Sequence, residues 1–221
     1  AVAYAVPDDE VHATLVPNDP YLVSSGTWGQ SYEDLWGLHR TSAPAAWDVA
    51  IGTGVVVAVV DTGIDLTHPD LQANLWTNPG EIAGNGVDDD GNGFIDDVHG
   101  WSFISNSSDP TDHHGHGTHV AGTIAAIGNN GRGVIGMSWT AKVMAVQGLN
   151  AIGFGSSSGL VSAILYAAEN GADVISNSWI GFRGPVATDP ISDAIATARA
   201  LGAVVVAAAG NSGVDLRLAA F

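Results

Sequence analysis

The run Val55-Val56-Val57-Ala58-Val59-Val60, closed by Asp61-Thr62-Gly63, decides how this chain folds. An unbroken series of β-branched and small apolar residues between Gly54 and a turn-forming Asp-Thr-Gly reads as a strand buried on both faces; a strand with one wet face would alternate. Similar runs recur at 142–147, 173–176 and 203–209, and patterns of helical spacing fall between them at 117–127, 160–170 and 191–201. Strands alternating with helices in this way predict βαβ crossovers, hence an α/β fold with a parallel sheet covered by helices on both faces. Glycine makes up 29 of 221 residues, about double the usual ~7% share. Much of it punctuates strand ends, and the carboxyl edge of such a sheet is where binding loops gather.

Composition narrows the function. Hydrophobic residues at 46%, with 7 Trp and only 13% charged residues, exclude a disordered tail, which could not offset its ordering entropy. The apolar runs are far shorter than the ~20 residues of a membrane span. A formal charge of −17 repels phosphate backbones and anionic lipid, so neither nucleic acid nor membrane is expected as a partner. Between Arg40 and Arg132 there is no Lys or Arg, yet twelve Asp or Glu lie there; that much uncompensated charge points to bound cations. With no cysteine, disulfides, thiolate metal sites and a cysteine nucleophile are ruled out, and the compartment stays open.

Three segments carry candidate chemistry. Asp61 ends the first strand, so its carboxylate projects from the carboxyl edge; taken alone it also reads as a capping residue. His116 stands in His113-His114-Gly115-His116-Gly117-Thr118-His119, just before a helix whose positive end disfavours imidazolium and so favours a neutral base. The same four histidines also read as solvated surface or an adventitious metal cluster. Asn211 follows the last strand in Ala209-Gly210-Asn211-Ser212-Gly213, which by itself is a turn.

Taken together, these blocks resemble the subtilisin-like serine proteases, most closely their calcium-rich, thermitase-like branch. The strings at 59–65, 116–123 and 208–213 match three of that family's four signature blocks, and the resemblance runs from about Asn18 to Gly213. It implies a subtilisin-like three-layer sandwich. By the same resemblance Asp61 orients and supports His116, His116 is general base and then general acid, and Asn211 donates to the oxyanion. The fourth block, Gly-Thr-Ser-Met-Ala with the nucleophile, is absent from the sequence. Ser156, Ser157, Ser158 and Ser212 lie outside any such motif and read as loop or turn serines.

The resemblance also implies a substrate cleft in which a polypeptide adds as a strand between two extended segments. One is Ile152-Gly153-Phe154-Gly155 and the other Ser178-Trp179-Ile180-Gly181. Trp179 is expected to wall the primary pocket and favour an apolar residue before the scissile bond. Ile180 departs from the family pattern, where glycine is usual, and a β-branched side chain there narrows the cleft.

Two metal sites are expected. Asp88-Asp89-Asp90-Gly91-Asn92-Gly93-Phe94-Ile95-Asp96-Asp97 matches the first half of a calcium loop, with oxygen donors at alternate positions and a glycine at the sharp turn. The expected donors are Asp88, Asp90, Asn92, Phe94, Asp96 and Asp97; position twelve is His99, so the loop is not a complete EF-hand. Hard oxygen ligands select Ca2+. A second site is implied by the family resemblance alone: Asp19, Asp70 and Asn130, completed by main-chain oxygens of Ile127, Arg132 and Val134.

The expected organisation is a propeptide end and cleavage junction at 1–17, cut between about His12 and Asn18, followed at 18–221 by the N-terminal two-thirds of a peptidase domain whose C-terminal part is missing. The first thirty or so residues read as an extended arm. The expected protein is a secreted, monomeric, calcium-stabilised endopeptidase fragment, inactive by itself, with polypeptide substrates and a propeptide or protein inhibitor as partners. Two rivals stay open. One is a non-catalytic, calcium-dependent peptide-binding pseudo-protease. The other is a metallohydrolase using His113, His114, His116 and His119, which lacks a His-Glu-x-x-His string.

Overall fold

The computed structural model describes residues 16–181 and 189–213. Most of the expected propeptide end, residues 1–15, lies outside them. The described beginning is less extended than the sequence suggests: Pro20–Leu22 forms a 3-10 turn, and Ser25 bridges Glu33. Two short helices follow, α1 (Trp36–Arg40) and α2 (Ala43–Ala46).

The long apolar run becomes β1 (Val56–Asp61), buried from Val57 onward. After it come β2 (Gly100–Ser102), α3 (His116–Ala125), β3 (Lys142–Gln147), α4 (Ser157–Glu169), β4 (Val174–Asn177), α5 (Pro190–Ala200) and β5 (Val204–Ala207). The strands form one parallel sheet in the order β2-β3-β1-β4-β5. This is the α/β architecture expected, with β2 as an addition: three residues among loop glycines and serines carry no strand periodicity.

Alternation along the strands sends side chains to two separate cores. Val57 and Val59 of β1, with Val143 and Ala145 of β3, pack under Ala121 and Ala125 of α3. Ala58, Val60, Met144, Val146 and Ile175 face the other way, beneath Leu160, Ala163, Ile164 and Ala167 of α4 and Ala194 and Ala198 of α5. At roughly 25 cal/mol per Å2 of apolar surface removed from water, this double burial is what holds the sheet at the centre. Among the described residues no helix is long and apolar enough to cross a membrane.

The strand order reverses beside β1, since the chain builds β2 and β3 on one side of it and β4 and β5 on the other. In open parallel sheets such a switch point leaves a crevice at the carboxyl ends of the strands. Asp61 is the last residue of β1.

Candidate active site

Asp61 is fully buried. Its Oδ1 accepts from the Thr62 amide at 2.7 Å and lies 2.7 Å from Nδ1 of His116. His116 opens α3, and its side chain is 45% exposed, so the imidazole is held at one edge by a buried carboxylate and presents the other edge to the cleft. A carboxylate on Nδ1 fixes that nitrogen as the protonated one and leaves Nε2 as the basic edge. Among the described residues no serine hydroxyl is hydrogen-bonded to this ring.

The contact is made by a tightly wedged turn. Gly117 follows His116, and a Cβ there would strike the carbonyl oxygen of Gly63, while Gly63 itself has φ +103° and abuts the backbone at Pro110. Two glycines in consecutive motifs thus let the α3 start lie directly on the loop after β1. Thr62 links the two: its hydroxyl donates to Asp112 Oδ1 at 2.9 Å and accepts from the Gly117 amide at 2.9 Å. Asp112 also accepts from the amides of His114, Gly115 and Thr118 and from the Thr118 hydroxyl. Burial works to raise the pKa of Asp112, but the bonds from Thr118, Gly115 and His114 outweigh it and hold the carboxyl below its ordinary range. Gln147, at the end of β3, donates from its side-chain amide to the carbonyls of Thr62 and Thr111 and so ties the same two loops.

The crevice beside His116 is a cleft of about 710 Å3. Both expected substrate-binding segments line it, through Gly153, Phe154 and Gly155 on one side and Ser178, Trp179, Ile180 and Gly181 on the other. Trp179 is half-buried, packs against the α4 side of the sheet and donates from Nε1 to the Val60 carbonyl at 3.1 Å. His114 also lines the cleft, its ring centroid 6.3 Å from that of His116. Asn211 is exposed, in the bend beyond β5. It is not among the residues lining the cleft, and adjoins it through Gly210, whose Cβ position is 3.6 Å from Ile180 Cγ2.

The acidic loop arranges itself differently from a simple alternation of donors. Oxygens of Glu81, Asp90 and Asp97 all lie within 4.8 Å of one another. Asp97 is fully buried and accepts from Asn78 Nδ2 at 2.8 Å and from the Tyr166 hydroxyl at 2.6 Å. Burial, then this bond and the charge of Asp97, raise the Tyr166 pKa, keeping it a donor. Asn92 joins through Nδ2, which donates to Asp90 and Asp97. Asp88 instead accepts from the amides of Gly91, Asn92 and Gly93, and Asp96 from those of Asn85 and Gly86. Phe94 stacks edge-on against Trp101, Phe103 and Tyr166. Three carboxylates at this spacing, one of them without access to water, fit a hard divalent cation.

The second expected metal set also converges in part. Asp19 and Asp70 are buried at 2% and 4% exposure. Asp19 accepts from the Asn129 amide at 2.7 Å, while Asp70 accepts from Asn130 Nδ2 at 2.6 Å and the Val134 amide at 3.2 Å. The Arg132 amide donates to Asn130 Oδ1, and the Ile127 amide to the Asp70 carbonyl. Two buried carboxylates facing one loop, with no cationic side chain bonded to either among the described residues, suit an oxygen-preferring cation.

The pattern of the Subtilase family (Peptidase S8) matches residues 52–219 of this sequence. The chain belongs to that family. Relatives of this subtilase include thermitase from Thermoactinomyces vulgaris, 38% identical over 197 residues, which are 89% of this chain and 58% of the relative. A thermophilic serine proteinase from Bacillus sp. (strain AK1) is 38% identical over 96% of this chain and 45% of its own length. M-protease from Shouchella clausii (strain KSM-K16) is 39% identical over 94% and 47%. The chain thus spans about half the length of the curated relatives it matches.

Sequence reasoning missed Thr62 and Asp112 as supports of His116, Gln147 as a tie between loops, and Glu81 as a partner of Asp90 and Asp97. Asp112 had a local signal: a carboxylate shortly before a helix start is a capping pattern. Glu81 had none, since it approaches Asp97 only because the loop between them folds back.

Proposed function

We propose that this subtilase segment supplies the acid–base and oxyanion half of a serine endopeptidase site. The observation that supports it most is the 2.7 Å contact of His116 Nδ1 with buried Asp61 at the switch point of the sheet. In this reading a polypeptide lies between residues 152–155 and 178–181, held by main-chain hydrogen bonds. His116 Nε2 takes the proton of a serine hydroxyl as it attacks the carbonyl carbon, then delivers it to the leaving amine. Asp61 keeps Nδ1 protonated and stabilises the imidazolium formed in between. The Asn211 carboxamide donates to the oxygen as it becomes an oxyanion; in subtilisin itself, loss of such a donor costs about 10²–10³ in turnover.

The nucleophile comes from outside these 221 residues, because the sequence holds no Gly-Thr-Ser-Met-Ala, and the 221-residue polypeptide alone hydrolyses no peptide. Fusing residues 1–213 to the remaining portion of a thermitase-like relative tests both statements. The chimera should cleave a chromogenic peptide, and a serine-directed phosphonate should stop it. Phosphonate-sensitive turnover by the 221-residue chain alone overturns the incompleteness; undiminished turnover by a His116→Ala chimera overturns the roles. A chain that binds peptide yet stays inactive in every fused form matches the pseudo-protease instead.

Calcium is the resident cation of this reading, supported by the carboxylates gathered at Glu81/Asp90/Asp97 and by the buried carboxylates of Asp19 and Asp70 beside Asn130. It takes no part in the chemistry; it joins the loops that carry the carboxylates. The protein acts outside the cell as a monomer, where free calcium can hold a cysteine-free chain together. It begins as a zymogen cut between about His12 and Asn18; N-terminal sequencing of mature material from the source should find that cut.

A further inference from the structure

Ile180 lies where the β4 side of the cleft meets the β5 side. It is 54% exposed, lines the cleft beside His116, and its Cγ2 is 3.6 Å from the Cβ position of Gly210. Gly210 has φ +83° and no side chain; it does not itself line the cleft, and Ile180, which does, is the side chain that packs against its Cβ position. The neighbouring Trp179 cannot take this role by swinging in, since its indole is bonded to Val60 and packed on the core. A β-branched side chain has few rotamers to move out of the way.

The placement has a consequence for substrate choice that rests on the proposed function. If Asn211 donates to the oxygen of the attacked carbonyl, the residue bearing that carbonyl has its Cα one bond further on. Its side chain therefore emerges within a few ångström of Asn211, beside Gly210 and Ile180. We propose that Ile180 closes the primary pocket, so that the cleft accepts Gly, Ala or Ser before the scissile bond and rejects aromatic and long aliphatic side chains. A hydrophobic pocket discriminates by size at about ten-fold or more when bulk is added or removed, and the Ile180 side chain sets four carbon atoms into this wall.

Product-like peptides test this without a nucleophile. Succinyl-Ala-Ala-Pro-Ala and succinyl-Ala-Ala-Pro-Phe, each with a free C-terminal carboxylate, are titrated into the 15N-labelled 221-residue chain by NMR. The Ala peptide should shift His116 and residues 178–181 and bind at least about ten-fold more tightly than the Phe peptide. Ile180→Gly should erase or invert the preference, with Ile180→Ala between; unchanged melting curves show that the variants fold. Equal affinity of the wild-type chain for both peptides overturns the proposal while leaving the cleft intact. Failure of both peptides to bind either the wild-type chain or Ile180→Gly overturns the cleft reading itself.

Discussion

Asp112 accepts hydrogen bonds from five donors, three of them backbone amides: two in the loop that ends in His116 and one, from Thr118, in the first turn of α3. Asn in its place keeps one acceptor oxygen and loses the charge that faces the α3 start, so Asp112→Asn should lower stability at pH 7 by on the order of 1 kcal/mol, as cap losses do. The pH dependence has a definite sign. The folded-state pKa is below the ordinary 3.8, so the stabilisation is fully present above that value and is lost as pH falls through the lower one. The gap in melting temperature between wild type and Asp112→Asn should therefore be wide at pH 7 and shrink below about pH 4; a gap that stays constant to pH 2.5 refutes the charge argument. Asp61→Asn tests a different property of the same site. In the fused enzyme it should lower kcat by about 10⁴, as tautomer reversal does in the trypsin-type triad, with little change in KM.

The turn that carries both residues depends on α3 lying flush against the loop after β1. Gly117→Ala would place a methyl on the Gly63 backbone and near Asp61 Cβ, and backbone cannot swing aside as a flexible side chain can. The expected loss is about 1–3 kcal/mol in urea unfolding, with the His116 Nδ1 proton signal weakened as the helix start backs away. Gly122→Ala is the matched control: it sits in the same helix with nothing near its Cβ position, so it should stabilise by up to ~1 kcal/mol through helix propensity. Equal effects of the two would show that the close approach does not matter. This contrast also marks what the sequence could tell. The buried runs of β1 and β3 and the helical spacing of α4 were readable because burial imposes period on composition. The wedge of Gly117 against Gly63 was not readable, because a glycine kept for a contact looks like a glycine kept for a turn. β2 was invisible for a related reason: Trp101 is buried, but three residues make no period. The acidic loop announced itself by charge, yet which carboxylates meet depends on loop closure, and that brought in Glu81 and turned Asp88 and Asp96 toward backbone amides.

Across the whole molecule, 23 acidic side chains face 6 basic ones, and two places outside the cleft where carboxylates are buried are also where distant segments join. Asp19 ties the beginning of the described chain to the loop at 127–134, and Asp97 ties the acidic loop to α4 through Tyr166. Without a cation, charges held there repel at short range in a poorly solvated setting. Calcium at 100 times its Kd adds about 2.7 kcal/mol, which for a chain of this size is roughly 5–11 °C in melting temperature. EDTA should lower the melting temperature by that order and excess Ca2+ should restore it. Glu81→Gln should reduce the calcium response through the first group and Asp70→Asn through the second, with additive loss because the groups share no residue. Sodium chloride at matched ionic strength is the deciding comparison, since screening relieves general repulsion but cannot coordinate. Should the salt restore the melting temperature as fully as Ca2+, mutual repulsion rather than coordination governs the loss, and both metal assignments fall.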